Sequence, residues 1–331
     1  MRFSDLPAGY TFPADTLTLD PATVQRYLAA TDDDNALYWH DGNGAPRVVP
    51  PLAVAALSLR AIAAGVSLAP GSIHSAQDLT FHRVVAVGET LQARARVVMA
   101  SKRRDFTALA IESTVGAADT NGEPAAISGR MTLFAAPGQT EGPGSADEGP
   151  GTGTGTGARL PALPDTKEIT TMPAPMRPRA YPLLSREDIV AGTEIPPLER
   201  TVTQGRIDAY ALASGDHNPI HLDPDFAAAT PFGGTIAHGM LLLAYASAAL
   251  ARAFGLAWLE TGSLKVRFRN PAPAGTTVTA RGRVERLEPR EHSEEDSGVQ
   301  YAICAILLQD PHGASLITGE ARVAISAPTV K

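Results

Sequence analysis

Two side chains that can exchange protons lie five positions apart in this 331-residue chain, Asp216 and His221. Residues 215–221 read Gly-Asp-His-Asn-Pro-Ile-His, in which glycine, asparagine and proline all favour turns. An asparagine that precedes proline also tends to leave the helical conformation, so the segment is predicted to be a loop held in one shape. A carboxylate and an imidazole on one such loop are a pair that general acid–base catalysis uses.

A second chemical feature begins at His238 and Gly239, which open an apolar segment predicted to be a helix as far as about Phe254. The first backbone amides of a helix have no intrahelical partner and lie at the positive end of its dipole. Such amides suit a developing oxyanion, and glycine allows a substrate carbonyl to come close. We therefore expect the Gly239 amide to make the oxyanion contact, and for His238 a structural role is favoured over a reactive one.

Together the two features form a known pattern, G-D-x-N-P-x-H followed about seventeen residues later by A-H-G-M and an apolar helix. This pattern resembles that of the MaoC-like (R)-specific enoyl-CoA hydratases, also called hydratase 2, which have the hot-dog fold. The resemblance implies a hydro-lyase that interconverts a trans-2-enoyl-CoA and a (3R)-3-hydroxyacyl-CoA. It also implies that Asp216 and His221 are the catalytic pair and that Gly239 is the oxyanion donor.

Hydration of an enoyl thioester makes three demands: a water activated at C3, a proton delivered to C2, and a stabilised enolate oxygen at C1. A carboxylate and an imidazole that converge on one water molecule can meet the first two. The sequence leaves open which of Asp216 and His221 protonates C2. Asn218 is placed to hold the loop and to hydrogen-bond a catalytic partner, although an Asn-Pro turn alone explains it equally well.

The phosphates of coenzyme A need cationic contacts, and the strand predicted after the helix offers them. Apolar and basic residues alternate there: Leu264, Val266 and Phe268 on one face, Lys265, Arg267 and Arg269 on the other. Arg267 and Arg269 are the candidates to bind the substrate, and a solvated strand face explains them just as well. The histidine spacing indicates no metal site, so we expect no metal and no cofactor beyond the coenzyme A of the substrate.

Three other functions remain open. A dehydratase of the same family would act on acyl-carrier-protein or branched dicarboxylic acyl-CoA substrates. A hot-dog thioesterase would hydrolyse the thioester and release free coenzyme A, which the intact G-D-x-N-P-x-H motif disfavours. A non-catalytic acyl-binding or complex-forming subunit would be expected only if His221 had been lost, and it is present.

The chain repeats itself at a constant shift of 183 residues, which pairs Asp5 with Asp188, Gly9 with Gly192, Tyr27 with Tyr210, Asp33 with Asp216 and Asn35 with Asn218. After a four-residue length difference, Phe81 matches Phe268 and Gly88 matches Gly275. A whole domain used twice is therefore predicted. Each copy combines one apolar helix with mostly antiparallel strands, and a sheet that wraps around the helix buries it best. The expected fold class is α+β, a double hot dog.

Three segments are expected: a degenerate N-terminal hot-dog domain at 1–136, a flexible Gly/Pro/Thr-rich linker at 137–164, and a catalytic C-terminal domain at 165–331. The helix of the first domain is predicted from Pro51 to about Ala64, with proline in its first turn.

The first domain departs from the motif where the chemistry would lie. Tyr38 replaces the histidine, Ala36 replaces the proline, and Pro50-Pro51 stands where the second half has His-Gly. A register one residue later would set Pro51-Leu52 at that place instead. We therefore expect this half to be catalytically silent. The resemblance implies that two-domain members keep one working half and use the other to accommodate the acyl chain.

Composition narrows the class of protein and its partners. The chain is 44% hydrophobic and 19% charged, as soluble globular proteins are. A net charge of −7 and a pI near 5.6 disfavour nucleic acid as a partner. The single cysteine, Cys304, excludes an intrachain disulfide and suits a reducing compartment. Arg252 interrupts the most apolar segment before it could span a bilayer. We expect a cytoplasmic protein that contacts no membrane and forms a homodimer.

Overall fold

The computed structural model describes residues 5–39, 46–65, 72–103, 106–118, 125–135, 177–289 and 299–325. The predicted linker at 137–164 lies outside these residues. In chain order the first half contains β1 (Asp15–Thr18), α1 (Pro21–Thr31), a 3-10 turn (Ala36–Tyr38), α2 (Pro51–Gly65), β2 (Ile73–Phe81), β3 (Thr90–Lys102), β4 (Thr107–Ala117) and β5 (Ile127–Ala135). The second half contains β6 (Glu194–Thr201), α3 (Gln204–Ser214), α4 (Pro219–Leu222), α5 (Pro224–Ala228), α6 (Gly239–Phe254), α7 (Leu256–Thr261), β7 (Ser263–Phe268), β8 (Thr277–Pro289), β9 (Gln300–Gln309) and β10 (Ser315–Ile325).

Ten strands form one continuous antiparallel sheet in the order β1-β3-β4-β5-β2-β7-β10-β9-β8-β6. The second five strands mirror the first five. The two halves join where β2 pairs with β7, and Asp78 lies opposite Lys265 in that pairing. The sequence repeat also matches these two residues to each other, so an approximate twofold axis passes between them. The repeat is therefore a repeat of structure, and its two copies share one sheet.

The centre of the second half is α6, whose leucines and alanines favour helix and whose end is set by Gly255 at a φ of 61°. Every α6 residue except Gly239 and Arg252 is buried. The helix packs against β6, β8, β9 and β10, and α2 packs in the same way against β3, β4 and β5. One helix wrapped by a sheet in each half is the predicted double hot-dog fold. None of the described helices combines the length and the apolar character needed to cross a membrane.

Fine detail recurs between the halves as well. The hydroxyls of Thr18 and Thr90 lie 3.0 Å apart, and those of Thr201 and Thr277 lie at the same distance at the equivalent strand pair. Positive φ angles recur at matched glycines: Gly9 (89°) and Gly192 (98°), Gly88 (90°) and Gly275 (94°). Glycine adopts this backbone region without a steric cost, which explains why the repeat keeps it at these turns.

The turn after α1, at residues 32–34, contacts the second half through its acidic side chains. Asp32 forms ion pairs with Arg200 and Arg206, each at 3.0 Å. Asp34 accepts a hydrogen bond of 2.7 Å from Arg252, the one charged residue of α6. The charge that interrupts the apolar helix in the sequence is thus matched by a carboxylate from the other half. These contacts and the β2–β7 pairing join the two halves into one body.

Candidate active site

The segment from Gly215 to His221 is shaped by its own backbone. Gly215 ends α3 with a φ of 77°, which turns the chain towards the core. The Asp216 carboxylate accepts a hydrogen bond of 3.2 Å from the Asn218 amide. The Asn218 side-chain oxygen accepts one of 3.3 Å from the Ile220 amide and so caps α4. The prediction of a loop was wrong for the last part of this segment, because the asparagine begins a short helix that carries His221.

The tautomer of His221 follows from its surroundings. The side chain is only 8% exposed, and its Nδ1 lies 2.8 Å from the carbonyl oxygen of Ile236. A carbonyl oxygen can only accept, so Nδ1 carries the proton and donates it. Nε2 of the neutral ring is then left with a lone pair. The hydrogen bond from Nδ1 to Ile236 thus orients the His221 ring, and Nε2 on the opposite side of the ring is available as a base.

His238 is buried beside His221 and connects it to the Asp216 backbone. Its Nε2–H donates to the carbonyl oxygen of Asp216 at 3.0 Å. The rings of His221 and His238 are 3.8 Å apart between centroids with planes inclined by 31°, and Tyr210 lies at 5.1 Å on the same cluster. Nδ1 of His238 is buried and, among the described residues, has no hydrogen-bond partner. This geometry fits the structural role that the sequence favoured for His238.

Burial and charge set the protonation of the cluster. Burial lowers the pKa of His221, and the Asp216 carboxylate offsets only part of that effect. Burial lowers the pKa of His238 to about 3, and the neighbouring His221 adds to the shift. For Asp216, burial acts to raise the pKa, but positive charge on His238 or His221 and the Asn218 amide outweigh it and leave the pKa lowered. At neutral pH the cluster is one carboxylate beside two neutral imidazoles.

Gly239 is the first residue of α6, and Phe268 explains why it is glycine. A Cβ atom at Gly239 would lie 2.9 Å from Cε1 of the Phe268 ring, closer than real Cβ contacts allow. The helix begins with hydrogen bonds from the Leu241 and Leu242 amides to the His238 carbonyl oxygen. Within the part of the chain that the structure describes, the Gly239 amide has no backbone acceptor. The oxyanion contact expected of this amide stays a prediction.

Of the two arginines predicted to bind coenzyme A, Arg267 lies on the exposed face of β7, away from the buried Leu264 and Val266. Arg269 follows the end of that strand and is also exposed. Arg267 Nη1 is 3.8 Å from the Asp78 carboxylate in a pair that is nearly half exposed on both sides. Arg269 donates from Nε to the Thr318 hydroxyl at 2.9 Å. The structure thus brings Asn218, His238 and Gly239 together with the Asp–His pair, and it places the arginines on a separate, solvent-facing surface.

The matching turn of the first half keeps the shape but not the chemistry. Asp33 accepts from the Asn35 amide at 3.3 Å, and the Asn35 side-chain oxygen accepts from Leu37 at 3.0 Å, as their counterparts do. Burial raises the pKa of Asp33 to about 6. The phenol of Tyr38, which is 1% exposed, takes the place of the imidazole. In this half the buried carboxyl is therefore matched with a phenol where the second half has an imidazole.

The start of α2 settles the register between the halves. The Pro50 carbonyl oxygen accepts from the amides of Ala53 and Val54, as His238 accepts in α6. Pro51 therefore corresponds to Gly239, which is the first of the two registers that the sequence allowed. Proline has no N–H, so the oxyanion contact available in the second half has no counterpart here.

Ligand atoms of Asp216, His221 and His238 lie within 4.8 Å of one another, close enough to hold a cation. Each neutral imidazole also donates its one N–H to a backbone carbonyl and keeps its other ring nitrogen unprotonated, as metal-bound histidines commonly do. The same three groups could instead orient one water molecule between a carboxylate and a basic nitrogen. The expectation that no metal takes part stays a prediction.

One residue near the site was missed by sequence reasoning. His74 belongs to β2 of the first half, and its ring centroid is 4.8 Å from that of Phe268. In its protonated form His74 also acts to lower the pKa of Asp216. No motif surrounds His74, and only the pairing of β2 with β7 brings it to the second half. The sequence carried no signal for that pairing.

Comparison with known proteins gives three findings. Residues 190–302 match the family model described as MaoC like domain. The (R)-specific enoyl-CoA hydratase of Aeromonas caviae is 35% identical over 127 residues, which is 38% of this chain and 88% of that protein. The 3-hydroxyacyl-thioester dehydratase Z of Mycobacterium tuberculosis is 42% identical over 84 residues, 24% of this chain. The chain spans only 56% of the length of that relative.

The fold has solved counterparts as well. A conserved hypothetical protein of Mycobacterium tuberculosis, described as having a double hotdog fold, superposes with a TM-score of 0.63 at 16% identity. The match covers 98% of each chain. At this identity the likeness concerns the fold alone, and it extends over both halves.

Proposed function

Because the chain belongs to the MaoC-like dehydratase family, we propose that it is a hydro-lyase that adds water reversibly to a trans-2-enoyl-CoA and forms a (3R)-3-hydroxyacyl-CoA. One observation carries the proposal. The Asp216 carboxylate and the unprotonated Nε2 of His221 belong to one cluster. Beside it is the helix-start amide of Gly239, which has no backbone acceptor among the described residues. A base, a proton carrier and an oxyanion donor are the three groups that the reaction needs.

The protonation of the cluster defines the path of the proton. At neutral pH Asp216 is a carboxylate and His221 is neutral with its proton held at Nδ1, so neither offers an acidic proton to C2. The pair takes a proton from water as the oxygen bonds to C3, and the π electrons move into the enolate. The proton taken from water is then returned to C2. Dehydration runs through the same steps in reverse.

The enolate oxygen is assigned to the Gly239 amide. The positive end of the α6 dipole and the unpaired amide both favour a negative charge at this place. A single donor of this kind is worth about a hundred- to a thousandfold in rate. Asn218 holds the loop through its bond to the Ile220 amide. Arg267 and Arg269 are proposed to meet the phosphates of coenzyme A, which is part of the substrate and the only coenzyme needed.

We also propose a domain organisation, a number of active sites, a compartment and an oligomeric state. Residues 1–136 form a silent domain that accommodates the acyl chain, 137–164 form a linker, and 165–331 form the catalytic domain. Only the second half has both the Asp–His pair and a glycine amide, so each chain has one active site. We also propose that the protein acts in the cytoplasm as a homodimer.

A second candidate is dehydration of a 3-hydroxyacyl group on another thioester carrier or on a branched dicarboxylic acyl-CoA. It is supported by the relative named as a 3-hydroxyacyl-thioester dehydratase, which is 42% identical over the matched segment. The chemistry at Asp216 and His221 would be the same, and only the carrier or the acyl group would differ.

The deciding experiment is an absorbance assay over trans-2-enoyl-CoAs of graded chain length. Loss of the enone absorbance without release of a thiol is the expected result. Thiol release would instead identify a thioesterase. Absence of any reaction with CoA thioesters, with turnover of the acyl-carrier-protein forms, would favour the second candidate.

A further inference from the structure

His74 is placed by an irregularity in β2. The pairing of β2 with β5 sets His74 opposite Leu133 and Ala76 opposite Thr132, so Ser75 is an extra residue in the strand. A bulge of this kind redirects neighbouring side chains. His74 Nε2–H then donates to the carbonyl oxygen of Ala76 at 3.0 Å, which fixes the ring and leaves Nδ1 with a lone pair.

The redirected ring makes contact across the junction of the two halves. β2 pairs with β7, with Ala76 opposite Arg267. The rings of His74 and Phe268 are 4.8 Å apart between centroids, with planes inclined by 45°. The edge of Phe268 in turn lies against Gly239 so closely that no side chain fits there. A chain of two contacts therefore runs from the first half to the proposed oxyanion amide.

Electrostatics agrees with this placement. Burial lowers the pKa of His74 to about 4, and the Asp216 carboxylate counteracts part of that shift. The ring is therefore neutral at neutral pH and close enough to Asp216 for the two to influence each other. His74 belongs to the first half, yet it is close enough to interact electrostatically with Asp216 in the second half.

The approximate symmetry of the molecule does not require this contact. Phe81 is the counterpart of Phe268 in the first half, and it packs edge-on against Trp258 at 5.2 Å between centroids. Trp258 belongs to α7, is fully buried, and donates to the Ser247 hydroxyl at 3.0 Å. One side of the junction is filled by a large aromatic side chain. The other side has an imidazole beside the proposed active site.

We infer that His74 is a positioning residue of the active site in the second half: its ring holds Phe268 against Gly239 and so defines the space in which the thioester carbonyl meets the Gly239 amide. The inference rests on the proposed hydratase function. It assigns the first half a part in shaping the active site beyond accommodating an acyl chain. A displaced Phe268 ring would let the carbonyl drift from the amide, and a misplacement of about 1 Å can cost on the order of a hundredfold in rate.

The test compares His74→Ala with His82→Ala. His82 follows the same strand and is exposed, and its ring nitrogen Nε2 lies 2.8 Å from the Ser128 hydroxyl. For His74→Ala, kcat/KM for enoyl-CoA hydration is expected to fall about ten- to a hundredfold, mainly in kcat, with the melting temperature little changed. His82→Ala is expected to match the wild type. His74→Phe restores a ring beside Phe268 and is expected to recover most of the activity.

A glutamine variant and an NMR experiment distinguish failure of this inference from failure of the proposed function. If His74→Ala does not fold, His74→Gln keeps a donor for the Ala76 carbonyl without the ring, and it is expected to show the same loss. Wild-type activity in the alanine or glutamine variant, or no recovery in His74→Phe, would overturn the inference while the hydratase function stood.

If the wild type hydrates no enoyl thioester, the proposed function fails, and the placement of His74 is tested by imidazole NMR. Asp216→Asn and Phe268→Leu should each shift the ring resonances of His74 and leave those of His82 in place. Unmoved His74 resonances in both variants would overturn the inference without reference to any substrate.

Discussion

The imidazole rings of His221 and His238 lie almost face to face, with centroids 3.8 Å apart and planes inclined by 31°. Two buried rings in contact cannot both carry a positive charge at an acceptable cost, because each would desolvate and repel the other. Within the described part of the chain, the carboxylate that groups with both rings is Asp216, and it can balance a single charge. The cluster is therefore built to hold one mobile proton, which is what the addition or removal of one water molecule requires.

The first prediction concerns pH. Burial lowers the pKa of His221 from its ordinary value near 6.5, and the active form has the neutral ring. Activity is then present above the lowered pKa and lost as the pH falls through it. We expect kcat/KM to be level near neutrality, with an acid limb centred below about pH 6.5. A profile of kcat/KM against pH measures this directly, and an acid limb centred at or above neutrality would contradict it.

The second prediction concerns the catalytic pair. Asp216→Asn and His221→Ala should each reduce turnover by at least about a hundredfold, the scale of losing a general acid or base. Asp33→Asn makes the same change at the matching position of the silent half and should leave turnover near that of the wild type. The His221 ring is buried against His238, so its replacement also removes packing. Melting curves must therefore accompany the assay, and a folded variant with near-normal turnover would remove that residue from the pair.

The third prediction concerns the silent half. Tyr38→His with Ala36→Pro completes the motif around Asp33, yet no second active site should arise. Pro51 stands where Gly239 stands and has no N–H to offer an enolate. The double change is made in a His221→Ala background and assayed for hydration. Substantial recovery there would show that the oxyanion contact lies elsewhere than at the helix start.

The fourth prediction concerns the junction of the halves. Asp34→Ala leaves Arg252, whose side chain is 13% exposed, without its carboxylate partner. The free energy of unfolding should fall by about 1–3 kcal/mol, the cost of an unpaired buried group. Glu112→Ala removes an exposed ion pair with Arg96 at 3.7 Å. This variant should change the free energy of unfolding by less than about 0.5 kcal/mol. Denaturant titrations of both variants give the comparison, and equal effects would contradict it.

The fifth prediction concerns the linker. Cutting or shortening the chain between about 138 and 159 should leave activity intact, because the β2–β7 pairing and the ion pairs of Asp32 and Asp34 hold the halves together. After a specific cut, both fragments should elute as one species that still hydrates. Halves that are stable and independent when expressed apart would contradict the paired architecture.

Much of the fold followed from local patterns. The alternation in β7 predicted its buried and exposed faces, and the repeat predicted which elements match. The helical turn at α4 was missed, because the Asn-Pro pair marks a helix start as readily as a loop. The pairing of β2 with β7 and the bulge at Ser75 lie beyond local pattern altogether. The β2–β7 pairing joins strands almost two hundred residues apart, and the bulge arises where Ser75 meets Thr132, 57 positions away. The place of His74 depends on both, so local pattern could not predict it.

The joining of two unequal halves in one sheet has an evolutionary consequence. If the same sheet were assembled from two identical chains, every substitution in β2 would appear at both sides of the junction and alter both sites at once. Here each half is encoded separately. Position 74 could become histidine without a matching change beside Phe81, where Trp258 now packs. A lineage can therefore adjust the surroundings of the proposed site in the second half through mutations in the first half.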